Sequence, residues 1–215
     1  MSKFLFQNGQ TVLFMGDSIT DCGRRGNEAP FGHGYAKQVI DLITAKYPER
    51  RIHFINKGIG GNTVLDLMNR WQDDVVRHRP DWLSILIGIN DEHRFLARTP
   101  DTVSVERYEE GYRTILTWTR QKLPKTKILL LDPFYISQTK ETASFRGKVL
   151  ELLPQYIAVA HKMVREFKTL HVPMQDVYLR QLKYRETDRF CPEPVHPNPS
   201  GHMVMAFEYL RAVGW

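Results

Sequence analysis

Short apolar runs alternate along the chain with longer segments whose apolar residues recur at helical spacing. Val12-Leu13-Phe14-Met15 is an apolar run of four, short enough for a buried strand. A helix is expected over about residues 35–47, with Val39, Ile40, Leu42 and Ile43 on its buried side and Pro48 as its stop. Residues 51–56 alternate at period two and read as a second strand. Val64, Leu67, Met68, Trp71 and Val75 then share one helical face, opened by Asn62 or Thr63 as a cap with Asp66 behind it. A third strand is expected from Trp82 to Gly88. A polar segment to Val103 leads into a long helix ending near Lys122, and residues 127–131 form a fourth strand. A helix from Arg146 to Lys168 carries Pro154 as a point of bending or restart. Residues 170–174 are a short fifth strand whose Pro173 suits a sheet edge. A short helix near 177–184 and a last one from Pro199-Ser200 to about Ala212 complete the pattern.

Five strands alternating with helices predict an α/β fold, a three-layer α/β/α sandwich with a five-stranded parallel sheet. No repeat, low-complexity tract or linker divides the sequence, so a single domain is expected over 1–215. In such a sheet, ligands bind at the carboxyl ends of the strands. Polar turns follow three of the predicted strands there: Gly16-Asp17-Ser18, Gly58 to Asn62, and Gly88 to Asp91. A fourth polar segment, Cys191 to His202, lies near the C-terminus.

Composition narrows the reading. Of 215 residues, 42% are hydrophobic and 25% charged, an ordinary balance for a soluble globular domain. No stretch approaches the roughly 18 to 20 apolar residues of a membrane span. The first ten residues do not resemble a signal peptide. Only Cys22 and Cys191 are present, which suggests a reducing, cytoplasmic compartment; a disulfide would need Ser18 and His196, their near neighbours in sequence, to meet. The net charge of +6 is scattered, so a solvated surface is expected rather than a nucleic-acid footprint. His33 and His93 have no cysteine or carboxylate at ligand spacing, and no metal or cofactor is expected.

The four polar segments contain the parts of an acyl-transfer site. A serine nucleophile needs a base, and the base needs an orienting partner. Ser18 sits at a strand end, while Glu193 and His196 are three apart in a proline-fixed loop, so the carboxylate can turn back to Nδ1–H and leave Nε2 free. An oxyanion needs preorganised donors, and the candidates are the backbone N–H groups of Ser18 and Gly61 and the Asn90 amide.

These four blocks, in order and at plausible spacing over nearly the whole chain, resemble the SGNH, or GDSL, hydrolase family. The resemblance implies a flavodoxin-like fold of this kind, with Ser18 as nucleophile, His196 as base, Glu193 as its partner, and Ser18, Gly61 and Asn90 as the oxyanion hole. One departure stands out: the family usually has Asp three residues before the histidine, and this chain has Glu193, one methylene or roughly 1.5 Å longer. Asp188 is the weaker substitute.

Finer matches run through residues 16–24, 56–64, 80–82, 87–91 and 133–135 and resemble bacterial intracellular acetylxylan esterases. They imply an acetylated carbohydrate substrate and a homo-oligomer. The alternatives are a lysophospholipase, thioesterase or arylesterase of the same family, or a non-catalytic carbohydrate-binding protein on this fold. Asp17 and Asp21 are expected to fix their turn, and Asp17, Tyr135 and Phe31 are placed near the substrate. Asp91 is expected to brace the Asn90 loop, and His202 to sit in the first turn of the last helix without catalytic work. Trp71, Trp82, Trp118 and Trp215 are expected in the core.

Overall fold

A computed structural model describes residues 4–215. Five strands form one parallel sheet: β1 (Thr11–Gly16), β2 (His53–Asn56), β3 (Trp82–Leu86), β4 (Lys127–Leu131) and β5 (Leu170–Val172), in the order β2-β1-β3-β4-β5. The register pairs Val12 with Trp82 and Gly16 with Leu86, so β1 and β3 end level beside each other at the centre of the sheet. β5 is an edge strand, and Pro173, which has no N–H to donate, follows it directly.

The strands' two-residue period separates two apolar layers. Val12, Phe14, Leu129 and Leu131 face α2 (Tyr35–Lys46), α7 (Met174–Gln181) and α8 (Pro199–Ala212). Leu13, Met15, Ile128 and Leu130 face α3 (Val64–Trp71), α5 (Val105–Lys122) and the C-terminal half of α6 (Phe145–Phe167). This is the expected α/β/α sandwich, with a parallel sheet covered on both faces.

Some boundaries and elements differ from expectation. α6 runs through Pro154 as one helix. The segment expected only to be polar, up to Val103, contains a helix, α4 (Ile89–Leu96). Its buried face includes Asp91 and Glu92, so an apolar period cannot reveal it. Another short helix, α1 (Ser18–Asp21), directly follows β1. Trp71 and Trp82 are buried, and Trp215 is half-buried against the core. Trp118, expected in the core, is 37% exposed, because it flanks the Tyr108–Tyr112–Ile115–Thr119 stripe that α5 buries. Cys22 and Cys191 are both free thiols and form no disulfide with each other.

Candidate active site

The site begins with a sharp exit from β1. Asp17 caps α1, its Oδ1 accepting the Ile19 N–H at 2.9 Å, and Ser18 becomes the first helical residue. A Cβ at Gly16 would lie 2.4 Å from Thr20 Oγ1 and 2.6 Å from the Leu86 carbonyl oxygen, so only glycine lets the chain turn this tightly beside β3. Asp17 is fully buried, which suits a turn-fixing role and leaves no surface for a substrate. Burial pushes its carboxyl up to about 7, against the opposing pull of the Ile19 N–H and the nearby His196.

The loop from Cys191 to Asn198 brings the base. Asn198 caps α8, its Oδ1 accepting from the Gly201 N–H at 3.0 Å, and its own amide reaches the carbonyls of Asp188 and Arg189. His196 Nε2 lies 2.8 Å from Ser18 Oγ. His196 Nδ1 lies 2.5 Å from Glu193 Oε1, and the same oxygen accepts the His196 backbone N–H at 2.7 Å. Glu193 Oε2 accepts the Val195 N–H at 3.0 Å. The longer side chain therefore folds back over its own loop and still meets the imidazole. Partial burial raises the Glu193 carboxyl, but the two backbone donors and His196 outweigh it and hold the group below its ordinary range.

Two further loops close around Ser18. Asn56, at the end of β2, is nearly buried; its amide donates to the carbonyls of Thr20 and Phe31 and its Oδ1 accepts the Gly58 N–H. Asp21 Oδ2 accepts the Gly60 N–H at 3.1 Å and an Arg25 N–H at 2.9 Å. A Cβ at Gly60 would sit 3.7 Å from Ser18 Cβ, at ordinary van der Waals contact. Gly61 follows with φ +79°. Among the described residues, no backbone carbonyl engages the N–H of Ser18 or of Gly61.

α4 presents Asn90 from the end of β3. Gly88 precedes it at φ +135°, where a Cβ would meet Tyr108 Oη at 2.9 Å and Pro133 at 3.1 Å. Asn90 Nδ2 donates to the Asn62 carbonyl at 3.0 Å, fixing the amide. Its second hydrogen stays available. Asp91 Oδ1 accepts the Val64 N–H at 2.9 Å, tying the Asn90 helix to the start of α3 as a brace. Burial pushes the Asp91 carboxyl up to about 7.

Arginines complete the scaffold, and motif reading missed them because their contacts are long-range. Arg70 donates to Asn62 Oδ1, the Lys57 and Gly16 carbonyls and Asp74, linking the ends of β1 and β2 to α3. Arg94 donates to the Gly61 carbonyl at 2.7 Å and pairs with Asp101. His202 sits in the first turn of α8, buried, accepting the Tyr35 N–H at 3.2 Å and lying 3.4 Å from Cys22 Sγ. Burial lowers its imidazole to about 4 and raises the Cys22 thiol to about 12, so both are neutral structural groups at pH 7.

A polar cavity of about 260 Å³ opens beside Glu193, walled by Ser137, Gln138, Thr139, Arg146, Glu186 and Thr187. A shallower one, about 340 Å³, borders Ser18 with Asp21, Cys22, Gly23 and Arg25. Tyr135 and Phe31 line neither: Tyr135 is 4% exposed and packs against His93, and Phe31 is half-buried against the core. Away from this site, Asp132, His161 and His171 bring their side-chain donors within 4.8 Å of one another.

Glu92, on α4 two residues after Asn90, is buried, and among the described residues neither of its carboxylate oxygens has a hydrogen-bond partner. Burial pushes it from 4.5 up to about 9, so the folded protein keeps a proton that the unfolded chain loses. Stability contributed here is therefore lost as pH rises from about 4.5 towards 9. Glu92→Gln is expected to melt with the wild type at pH 5 and above it at pH 8, by on the order of a few kcal/mol or roughly 5 to 10 °C. Thermal unfolding at the two pH values checks this.

The profile of the GDSL-like Lipase/Acylhydrolase family matches residues 14–204. The chain belongs to that family. It is 37% identical over 217 aligned residues to an acetylxylan esterase of Geobacillus stearothermophilus, covering 97% of this chain and 95% of the relative. The crystal structure of that organism's acetylxylan esterase Axe2 superposes with a TM-score of 0.87 at 36% identity, over 98% of this chain and 97% of that one. An α/β hydrolase from the metagenome of Lake Arreo, Spain, superposes with a TM-score of 0.87 at 29% identity, over 99% and 98% of the two chains. Three Axe2 structures are of catalytic mutants that replace a serine, an aspartate and a histidine, the last two three positions apart. Glu193 and His196 have the same spacing here.

Proposed function

We propose that this protein is a serine esterase that removes acetyl groups from acetylated xylo-oligosaccharides. The observation that carries the chemistry is the hydrogen-bonded chain Ser18 Oγ–His196 Nε2–Nδ1–Glu193 Oε1, at 2.8 and 2.5 Å, at the carboxyl end of the sheet. Similarity to an acetylxylan esterase supports the substrate, as does the polar cavity beside Glu193, which suits a sugar better than an acyl chain.

In this reading His196 takes the Ser18 proton as Oγ attacks the acetyl carbonyl. The tetrahedral oxyanion is held by the Ser18 and Gly61 N–H groups and the free Asn90 hydrogen. His196 returns the proton to the departing sugar oxygen, leaving an acetyl-serine. Water, deprotonated by His196, then attacks that ester and releases acetate and Ser18. Glu193, ionised through the working range, fixes the imidazole and stabilises its protonated form.

Asn90→Ala is expected to lower kcat by about 10²- to 10³-fold with little change in KM, because the lost donor acts on charge that appears only in the transition state. Steady-state kinetics on p-nitrophenyl acetate checks this.

The reading extends to a homo-oligomer in a reducing cytoplasm. The oligomer rests on resemblance, and the compartment is consistent with two free thiols. Light scattering on the purified protein tests the assembly.

Fluorophosphonate labelling combined with a p-nitrophenyl ester series tests the whole proposal. The expected result is stoichiometric modification of Ser18 and activity greatest on acetate. Activity peaking at eight or more acyl carbons would replace it with a lysophospholipase, thioesterase or arylesterase. Absence of both labelling and hydrolysis would leave a carbohydrate-binding protein.

A further inference from the structure

We propose that Asp132, His161 and His171 form a binding site for a borderline divalent cation such as Zn²⁺, separate from the esterase site. Asp132 directly follows β4, two strands across the sheet from β1 and Ser18. His171 lies on β5 and His161 on α6. Both imidazoles aim Nε2 at the one carboxylate, His161 at Oδ2 over 3.0 Å and His171 at Oδ1 over 2.7 Å. The rings meet edge to face, centroids 4.7 Å apart and planes at 78°. Two nitrogen donors and a carboxylate therefore converge from three different elements.

The electrostatics favour a cation. The Asp132 carboxylate is nearly buried, at 2% exposure, and among the described residues it has no lysine or arginine partner. A bound divalent cation supplies the counter-charge that a buried carboxylate needs.

Two imidazoles with one carboxylate match zinc and its neighbours rather than Mg²⁺ or Ca²⁺, which take all-oxygen sets. Ligand bonds near 2.0–2.2 Å need the donors roughly 3.3 Å apart, against nitrogen–oxygen distances of 3.0 and 2.7 Å and a spread within 4.8 Å for the whole trio. Each histidine then carries its proton on Nδ1. The side chain of His161 is 36% exposed, so water can fill the remaining position.

The backbone is already fixed here, since the Asp132 N–H donates to the Val172 carbonyl across β4 and β5. A cation would bolt the β5 edge and α6 to the end of β4. No ligand-spaced motif announces the trio, because the histidines lie 29 and 39 residues from Asp132. The spacing around His33 and His93, on which the expectation of no metal rests, does not bear on this trio.

The test titrates chelator-stripped full-length protein with zinc chloride by calorimetry and with cobalt chloride by visible spectroscopy. The expected result is one ion per chain, with the intense d–d bands of four-coordinate Co²⁺. His161→Gln and His171→Gln should each weaken binding at least about tenfold and bleach the bands. Zinc should raise the melting temperature of the wild type but not of either variant. Melting in metal-free buffer establishes that both variants are folded, and Asp132→Asn gives a third check at the same site. No stoichiometric binding, or binding unchanged in the two histidine variants, would overturn the proposal. Esterase activity is not the readout, so failure here leaves the esterase reading untouched.

Discussion

Replacing Ser18 with alanine is expected to lower kcat for acetyl ester hydrolysis by about 10⁵- to 10⁶-fold, while substrate affinity stays within a few-fold. Among the described residues, Ser18 Oγ is the one hydroxyl hydrogen-bonded to His196 Nε2, at 2.8 Å, and the variant keeps the backbone N–H that would face the oxyanion. What remains should be the slow reaction of water in a site that still binds and polarises the carbonyl. The fold should not suffer. Asp17, not the Ser18 side chain, caps α1, and among the described residues the Ser18 hydroxyl hydrogen-bonds only to His196. Equal melting temperatures with a collapse in kcat, measured by stopped assays at high enzyme concentration, would locate the loss in the chemical step. A residual rate within tenfold of the wild type would mean that another group is the nucleophile.

The second large effect belongs to Glu193. Glu193→Gln is expected to reduce kcat by about 10²- to 10⁴-fold. Glu193 Oε1 accepts two hydrogens from the same residue, the His196 Nδ1–H and the His196 N–H, and Oε2 accepts the Val195 N–H. An amide offers one acceptor oxygen for these three donors. It also removes the charge that supports the imidazolium. The Glu193 side chain is 44% exposed, so water can take part of the load, which keeps the lower end of the range open. Glu193→Asp should be milder than Glu193→Gln, because it preserves the charge while shortening the reach by roughly 1.5 Å in a loop shaped around glutamate. Comparing the two variants separates charge from geometry. Equal, small losses in both would place Glu193 outside the reaction and return attention to Asp188.

How much was legible in advance follows the range of the interactions. Strands β1 and β4 could be read almost to the residue, because buried parallel strands are short continuous apolar runs. Ser18, Asn90, Glu193 and His196 could be singled out because each lies at a strand end or in a short polar loop. α4 could not be read, since it buries Asp91 and Glu92 and shows no apolar period. Arg70 and Arg94 were invisible for a different reason. Arg70 joins Gly16, Lys57 and Asn62 across two strand ends, and Arg94 reaches Gly61 33 residues away. Such contacts exist only after the sheet forms. The same holds for the Asp132–His161–His171 trio. Tyr135 and Phe31 were reasonable pocket walls from their place after a strand and within a glycine-rich loop. Tyr135 is instead buried against His93, and the cavity beside Glu193 is lined by residues 136–139, 146, 186–187 and 191–194.

The central claim is that the Ser18 site acts on acetyl groups carried by a sugar. Its most direct measurement follows acetate release from acetylated xylo-oligosaccharides by proton NMR, with p-nitrophenyl octanoate as the competing ester class. The account predicts rapid acetate release by the wild type, none above background by Ser18→Ala, and a kcat/KM on the octanoate lower by about tenfold or more. Oligosaccharides left acetylated by an enzyme that cleaves the octanoate would contradict it.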